Sequence, residues 1–261
     1  MTTTTSTAAF PAELRRWRAN RRLSQLELAD RAGTTQRHLS FMESGRSHPG
    51  AAIVLRLAES LELGLRERNA LLLSAGYAPR YPESGLGAPI LRPVREALDR
   101  ILAGHLPYPA LIAGPHGELV AANPAFDLLT EGAAAELLRP PVNVYRLALH
   151  PDGMARRVVN LADWGRHITE NMHARARRRQ DPELAALAAE LAALLPPAAA
   201  AGDPLGFAVP LHLRTPAGDL RLLTTLTTFA TATDVTVAEL HLEAFLPADE
   251  ATAELLRARY D

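Results

Sequence analysis

The chain has 261 residues, 48% of them hydrophobic and 22% charged, enough apolar sequence for packed cores and more length than one small module needs. It contains no cysteine, which excludes disulfides, cysteine-based zinc sites and thiol nucleophiles. Its net charge of −1 hides an asymmetry: residues 1–80 carry twelve arginines against seven acids, and residues 81–261 carry sixteen against twenty-two. A basic amino-terminal part on an acidic partner suits a molecule of which only one part meets phosphate. Residues 1–10 lack the basic start and apolar run of a signal peptide, and no run of about 18 apolar residues offers a membrane span. The expectation is a cytoplasmic protein with no membrane partner, its residues 1–10 a disordered tail.

Pro11–Arg22 reads as a helix, with Leu14 and Trp17 on one face. Ser24 and Glu27 have the spacing of a capping box and predict a helix over Gln25–Ala32. Gly33 ends that helix, Thr34 is the expected cap of the next, and Thr35–Ser44 runs to a stop at Gly45. Leu26, Ala29, Leu39 and Met42 are the expected contacts between these two helices, with Ala32-Gly33 allowing close backbone approach. Pro49-Gly50 opens a fourth helix with Ile53, Leu57 and Leu61 inward, and Leu65–Ala75 supplies a fifth. Two helices joined by a glycine-containing turn are the helix-turn-helix signature, so residues 11–76 form an all-α five-helix domain of that kind.

Residues 77–90 are rich in proline and glycine and read as a linker. In the remaining 91–261, Leu91–Leu102 is amphipathic, and Tyr108–Ala113 and Glu118–Ala122 flank a Gly114–Gly117 turn as a hairpin. Asn123-Pro124 caps a helix through Leu129, and a mostly helical stretch runs from Val144 to Leu195 before a loop at 196–206. The last quarter alternates. Val209, Leu211 and Leu213, then Leu220, Leu222 and Leu226, then Leu240, Leu242 and Leu246 are set inward, with His212, Glu239, His241 and Glu243 outward. This predicts an antiparallel meander with one buried face, a terminal helix over Ala251–Tyr260, and an α+β domain.

The string from Ser24 to Ala29, with Ala32-Gly33-Thr34-Thr35-Gln36-Arg37, Leu39, Met42-Glu43 and Gly45, resembles the xenobiotic-response-element family of helix-turn-helix proteins. Thr35, Gln36, Arg37, Ser40 and Phe41 remain outside the expected core. Glutamine suits adenine and arginine suits guanine in the major groove of double-stranded DNA, each for roughly 1–3 kcal/mol of discrimination. The resemblance places Gln36 and Arg37 at base-contacting positions and Gln25 at a phosphate-contacting one; Arg46 is the further phosphate candidate. Phe41 departs from the polar residue common there, and either touches a thymine methyl or packs.

The hairpin and Asn123-Pro124-Ala125-Phe126 look like the opening of a PAS-type sensor domain. With Thr35–Glu43, Arg66–Leu72, Ala75–Pro79, Asn143–Leu147 and Leu149–Gly153, the chain resembles the MmyB-like regulators along nearly its whole length. That resemblance implies a PAS-like domain with an antiparallel sheet and a small apolar ligand, a fatty-acid-like effector. Asn143, Arg146 and His150 match the family's polar motif and are the candidate head-group residues, with Trp164 on the pocket wall. Asn143 is equally suited to cap the helix after it, and Arg146 to pair with a nearby acid. The basic run Arg175, Arg177, Arg178 and Arg179 reads as a solvated face. No nucleophile-elbow, zincin, phosphate-loop or dinucleotide motif is present, so neither an enzyme, a metal nor a cofactor is expected. A single helix-turn-helix usually needs a two-fold mate to span adjacent half-sites, so a homodimer is the expected form, and the alternative to a ligand sensor is a constitutive DNA-binding regulator whose second domain only dimerises.

Overall fold

The computed structural model describes residues 9–197 and 208–260. Most of the expected tail over 1–10 and of the loop over 196–206 lies outside the described residues. The chain divides into two compact units. The first comprises residues up to Ser84 with Arg177–Gln180 and Thr231–Ala238; the second comprises Gly85–Ala176, Asp181–Ala230 and Glu239 onward.

Five helices build the amino-terminal segment of the first unit: α1 Ala9–Asn20, α2 Gln25–Arg31, α3 Gln36–Glu43, α4 Ala51–Ser60 and α5 Leu65–Ser74. Phe10 is buried beside Leu14 and Trp17, so α1 begins before Pro11 and Phe10 belongs to the core rather than to a tail. Leu26 is 62% exposed, against the expectation that it locks α2 to α3. With α2 starting at Gln25, Leu28, Ala29 and Ala32 share the inward face, and Leu28 takes the place assigned to Leu26. On α4, Val54 is buried with Leu57 and Ala58, while Ile53 only packs at the edge. A Cβ at Gly33 would meet nothing within 4 Å, so this glycine is not there for close backbone approach. It supplies the φ of +60° that turns the chain out of α2.

Residues 80 and 81, within the expected linker, are tied to α5. The Asn69 side chain accepts from the Arg80 and Tyr81 amides, each at 3.0 Å, and donates to the Tyr81 carbonyl at 2.7 Å.

The second unit opens with α6, Arg92–Ala103, and contains β1 Ala110–Ala113, β2 Leu119–Ala122, α7 Asp127–Thr130, α8 Val144–Leu149, all but the last turn of α9 Leu161–Arg179, and α10 Pro182–Ala192. β3 Leu211–Thr215, β4 Gly218–Thr228, α11 Val235–Glu239, β5 His241–Pro247 and α12 Glu250–Ala258 complete the chain. The strands form one antiparallel sheet in the order β2-β1-β5-β4-β3, with α7 to α10 inserted between its two halves. This is a PAS-like α+β arrangement.

The sheet has two covered faces, not one. All four residues of β1 are buried, because a strand in the middle of a sheet meets a core on each side. Leu111 and Ala113 join the main core with Tyr145, Trp164, Met172 and Phe245. Ala110 and Ile112 instead pack with Leu242, Ala244, Leu98 and Leu102 against α6. The pairings Leu111↔Glu243 and Ala113↔His241 therefore put Glu243 and His241 on the main-core side. This reverses the orientation expected for β5. Asn123 does not cap the turn after it through its side chain. It accepts from the Ala110 amide at 3.1 Å and donates to the carbonyls of Tyr108 and Leu102, at 2.8 and 3.2 Å, fastening β1 from below.

Candidate DNA-reading face and ligand-domain polar groups

α2 and α3 are fixed by local chemistry before any tertiary contact. The Ser24 hydroxyl accepts from the Glu27 amide at 3.1 Å, and the Glu27 carboxylate accepts from the Ser24 amide at 2.7 Å, completing the capping box. Those bonds from Ser24 hold the Glu27 carboxyl below its ordinary pKa. On α3 the cap is Thr35, not Thr34: the Thr35 hydroxyl accepts from the His38 amide at 3.1 Å. Thr34 reaches the His38 ring instead, also at 3.1 Å. Thr35 therefore has one lone pair committed to the helix start, directly before Gln36 and Arg37.

Gln36 and Arg37 are exposed on the first turn of α3, and Ser40 and Phe41 are half-buried one turn on. The Arg37 guanidinium lies 5.3 Å from the Phe41 ring centroid and that of Arg46 lies 6.0 Å from it. Phe41 thus carries one arginine from inside α3 and one from beyond it. The loop closes on the same residue: the Phe41 carbonyl accepts from the amides of Arg46 and Ser47 at 2.8 and 3.2 Å. Gly45 makes the turn possible with a φ of +73°.

Behind this face, Glu43 is buried and receives three hydrogen bonds. Arg18 clasps it with Nε at 2.6 Å and Nη2 at 3.0 Å, and the Gln25 amide nitrogen donates at 2.8 Å. The bond to Glu43 raises the Arg18 pKa above its ordinary value, with burial opposing. Gln25 is consequently oriented through its side-chain nitrogen, and its amide oxygen is the group left to meet a partner.

The polar residues expected to hold a ligand head group are otherwise engaged. The Asn143 side chain caps α8 by accepting from the Arg146 amide at 3.1 Å and donates to the His116 carbonyl at 2.9 Å. Arg146 makes a bidentate pair with Glu190 at 2.9 and 2.7 Å, and that bond lowers the Glu190 pKa. His150, at the end of α8, accepts the Asp152 amide on Nδ1 at 3.0 Å. Trp164 is buried on α9 within the main core.

Four residues on the core side of the sheet escaped the sequence reading as site candidates. The Tyr145 hydroxyl accepts from Arg175 Nη1 at 2.7 Å, and Arg175 Nη2 donates to the Pro115 carbonyl at 3.2 Å. Arg175 is thus turned inward from the basic run read as a solvated face. Burial, with the negative charge of Glu243 adding to it, pushes the Tyr145 hydroxyl up to about 12 despite the nearby Arg175. His241 and Glu243 complete the set, with His241 Nε2 3.3 Å from Glu243 Oε1. The signal for them was bulk on both parities of β5, where His-Leu-Glu-Ala-Phe-Leu alternates poorly and so marks a doubly covered strand. Among the described residues no metal-binding cluster occurs, and no helix is long and apolar enough to cross a membrane.

The comparisons with known proteins match two separate stretches of the chain. The sequence model of a family described as helix-turn-helix matches residues 14–68. That of a family described as MmyB-like transcription regulator ligand binding domain matches residues 94–258. A search of the curated proteins found no match. Among solved structures, the clp gene regulator ClgR from Corynebacterium glutamicum is 24% identical over 38% of this chain and 92% of its own, with a TM-score of 0.23. An RNA-binding Light-Oxygen-Voltage receptor is 18% identical over 97% of this chain and 64% of its own, with a TM-score of 0.28.

Proposed function

The chain belongs to the MmyB-like transcription regulators, a DNA-binding helix-turn-helix joined to a ligand-binding domain, and from that premise we propose how its residues do the work. Gln36 and Arg37 read base edges in the major groove of double-stranded DNA. Thr35, Ser40 and Arg46 flank them, and Gln25 reaches phosphate through the amide oxygen that Glu43 leaves available. The observation that supports this best is the Phe41 platform. It holds Arg37 and Arg46 on one exposed surface at the start and end of α3, which costs less ordering at the moment of binding. The approach of Arg37 and Arg46 to the Phe41 ring supports packing over a thymine-methyl contact as the role of Phe41. The protein acts in the cytoplasm as a homodimer, each copy on one half-site.

The second domain senses a small apolar ligand, and the family resemblance makes a fatty-acid-like molecule the effector class. Tyr145, Trp164, Met172 and Phe245 supply an apolar core between the sheet and its helices. Asn143, Arg146 and His150 stabilise the helices around that core, since each already has its partners.

Selection of operators from a random DNA library by the full chain tests the DNA reading. Gln36→Ala and Arg37→Ala should each relax preference at one base position, by roughly 1–3 kcal/mol, in the selected sequence. Arg46→Ala should instead weaken all sequences alike and flatten the salt dependence. Unchanged base preference in both α3 variants would overturn the assignment.

A further inference from the structure

The reading of the second domain as a sensor leaves open what holds the polar end of its ligand. Resting on that reading, we propose that the His241–Glu243 pair of β5 is the head-group seat, and that it selects a neutral hydrogen-bond-donating head, an alcohol or a primary amide, over a free carboxylate.

The observations come from one face of one sheet. The His241 side chain is 3% exposed, and its Nε2 has no hydrogen-bond partner among the described residues. The 3.3 Å approach to Glu243 is too poorly aligned to count as one. A buried ring nitrogen without a partner is costly, and native proteins keep such groups where something else supplies the bond. Glu243, 13% exposed, offers only acceptors on the same side of the strand. Tyr145 accepts from Arg175 and so keeps its own O–H to donate. Together these groups present an acceptor, a ring nitrogen and a donor, the complement of a hydroxyl or a carboxamide.

The surroundings say which heads are refused. Burial and the charge of Glu243 both disfavour a second anion nearby, with Arg175 opposing them at the Tyr145 hydroxyl. Arg175 directs two of its N–H groups at Tyr145 and the Pro115 carbonyl. A fatty acid fits here only in its neutral form.

The entrance lies on the neighbouring strand. Leu226 pairs with Glu243 and Thr228 with His241 across β4 and β5, so both are on the core side of the sheet. Yet Leu226 is 53% exposed and Thr228 is exposed too. The core stops short of this end of β4 and leaves an apolar residue at the rim of a polar seat. An alkyl chain crossing Leu226 would bring its head to Glu243.

The test uses the full chain with dodecanol, dodecanamide and sodium dodecanoate, by calorimetric titration and thermal shift at a pH where dodecanoate is ionised. The alcohol and the amide should bind at least about tenfold more tightly than the carboxylate. Glu243→Gln should abolish that order by removing the charge, and His241→Asn should weaken the alcohol and the amide by about tenfold. Should either core variant fail to fold, Leu226→Trp, at an exposed position, should weaken all three probes alike. Tightest binding of dodecanoate, or an order unchanged in Glu243→Gln, would overturn the seat while leaving the sensor reading intact. No binding of any probe overturns both.

Discussion

Glu43 in the helical unit and His241 in the sheet unit are both buried polar residues, and they are treated in opposite ways. Glu43 receives Arg18 twice and Gln25 once, so its charge is compensated within the fold. His241 has an Nε2 that no described group satisfies. The first arrangement fixes a surface in one geometry, which is what a base-reading helix needs. The second keeps an unmet bond inside a core, which is what a site that waits for a ligand needs.

The comparison breaks most visibly where compensation is removed. Arg18→Ala leaves Glu43 buried without its cation and should cost about 3–5 kcal/mol. It should appear as a lower urea midpoint and as lost hydrogen-exchange protection in α1 to α3, with the sheet unit unaffected. Protection unchanged in α3 would mean that Glu43 is not held as described.

In the sheet unit the corresponding lever is the contact that seats Tyr145. Gly117 has a φ of +89°, and a Cβ there would lie 2.5 Å from the Tyr145 ring. Gly117→Ala should cost about 1–3 kcal/mol from backbone strain and displaced packing, visible as a reduced thermal midpoint of that unit.

A smaller effect follows from pH. The Tyr145 hydroxyl is raised from about 10 to about 12, so the folded state holds that proton more tightly than the unfolded chain does. Its contribution to stability is complete below pH 10 and is lost as pH rises from there through 12. Ultraviolet titration should show a tyrosine step near pH 12, and Tyr145→Phe should remove it. Smallest of all, Phe41→Ala should leave the fold intact and weaken operator binding by roughly 1 kcal/mol, since each exposed cation–π contact is worth about 0.5–1 kcal/mol.

The two units also differed in how far the sequence revealed them. The helical unit was legible because its signals are local: Ser24 and Glu27 lie three residues apart, and Gly33 and Gly45 mark the ends of α2 and α3. What failed there was phase, with Leu26 chosen where Leu28 is buried and Thr34 chosen where Thr35 caps. Both errors are shifts of one or two residues on short helices, where few turns constrain the face. The sheet unit was legible as strands and helices but not as faces. β1 and β5 sit in the middle of the sheet, where both parities are buried, so alternation could not tell His241 from Leu242. The pairing of Arg146 with Glu190 and the inward turn of Arg175 depend on contacts far apart in sequence, which no local pattern carries. Asn143, Arg146 and His150, the residues that looked most like a ligand triad, have partners within the fold, and the seat proposed for a ligand lies on residues set aside as solvent-facing.

Ligand-coupled DNA reading is tested most directly by the binding isotherm of the full chain on its selected operator, measured with and without saturating dodecanol. A switch predicts an operator affinity that changes by at least about fivefold, with binding to scrambled DNA of the same length unaltered. Superimposable isotherms, with dodecanol demonstrably bound, would contradict it and leave a DNA-binding protein whose second domain does not report to the first.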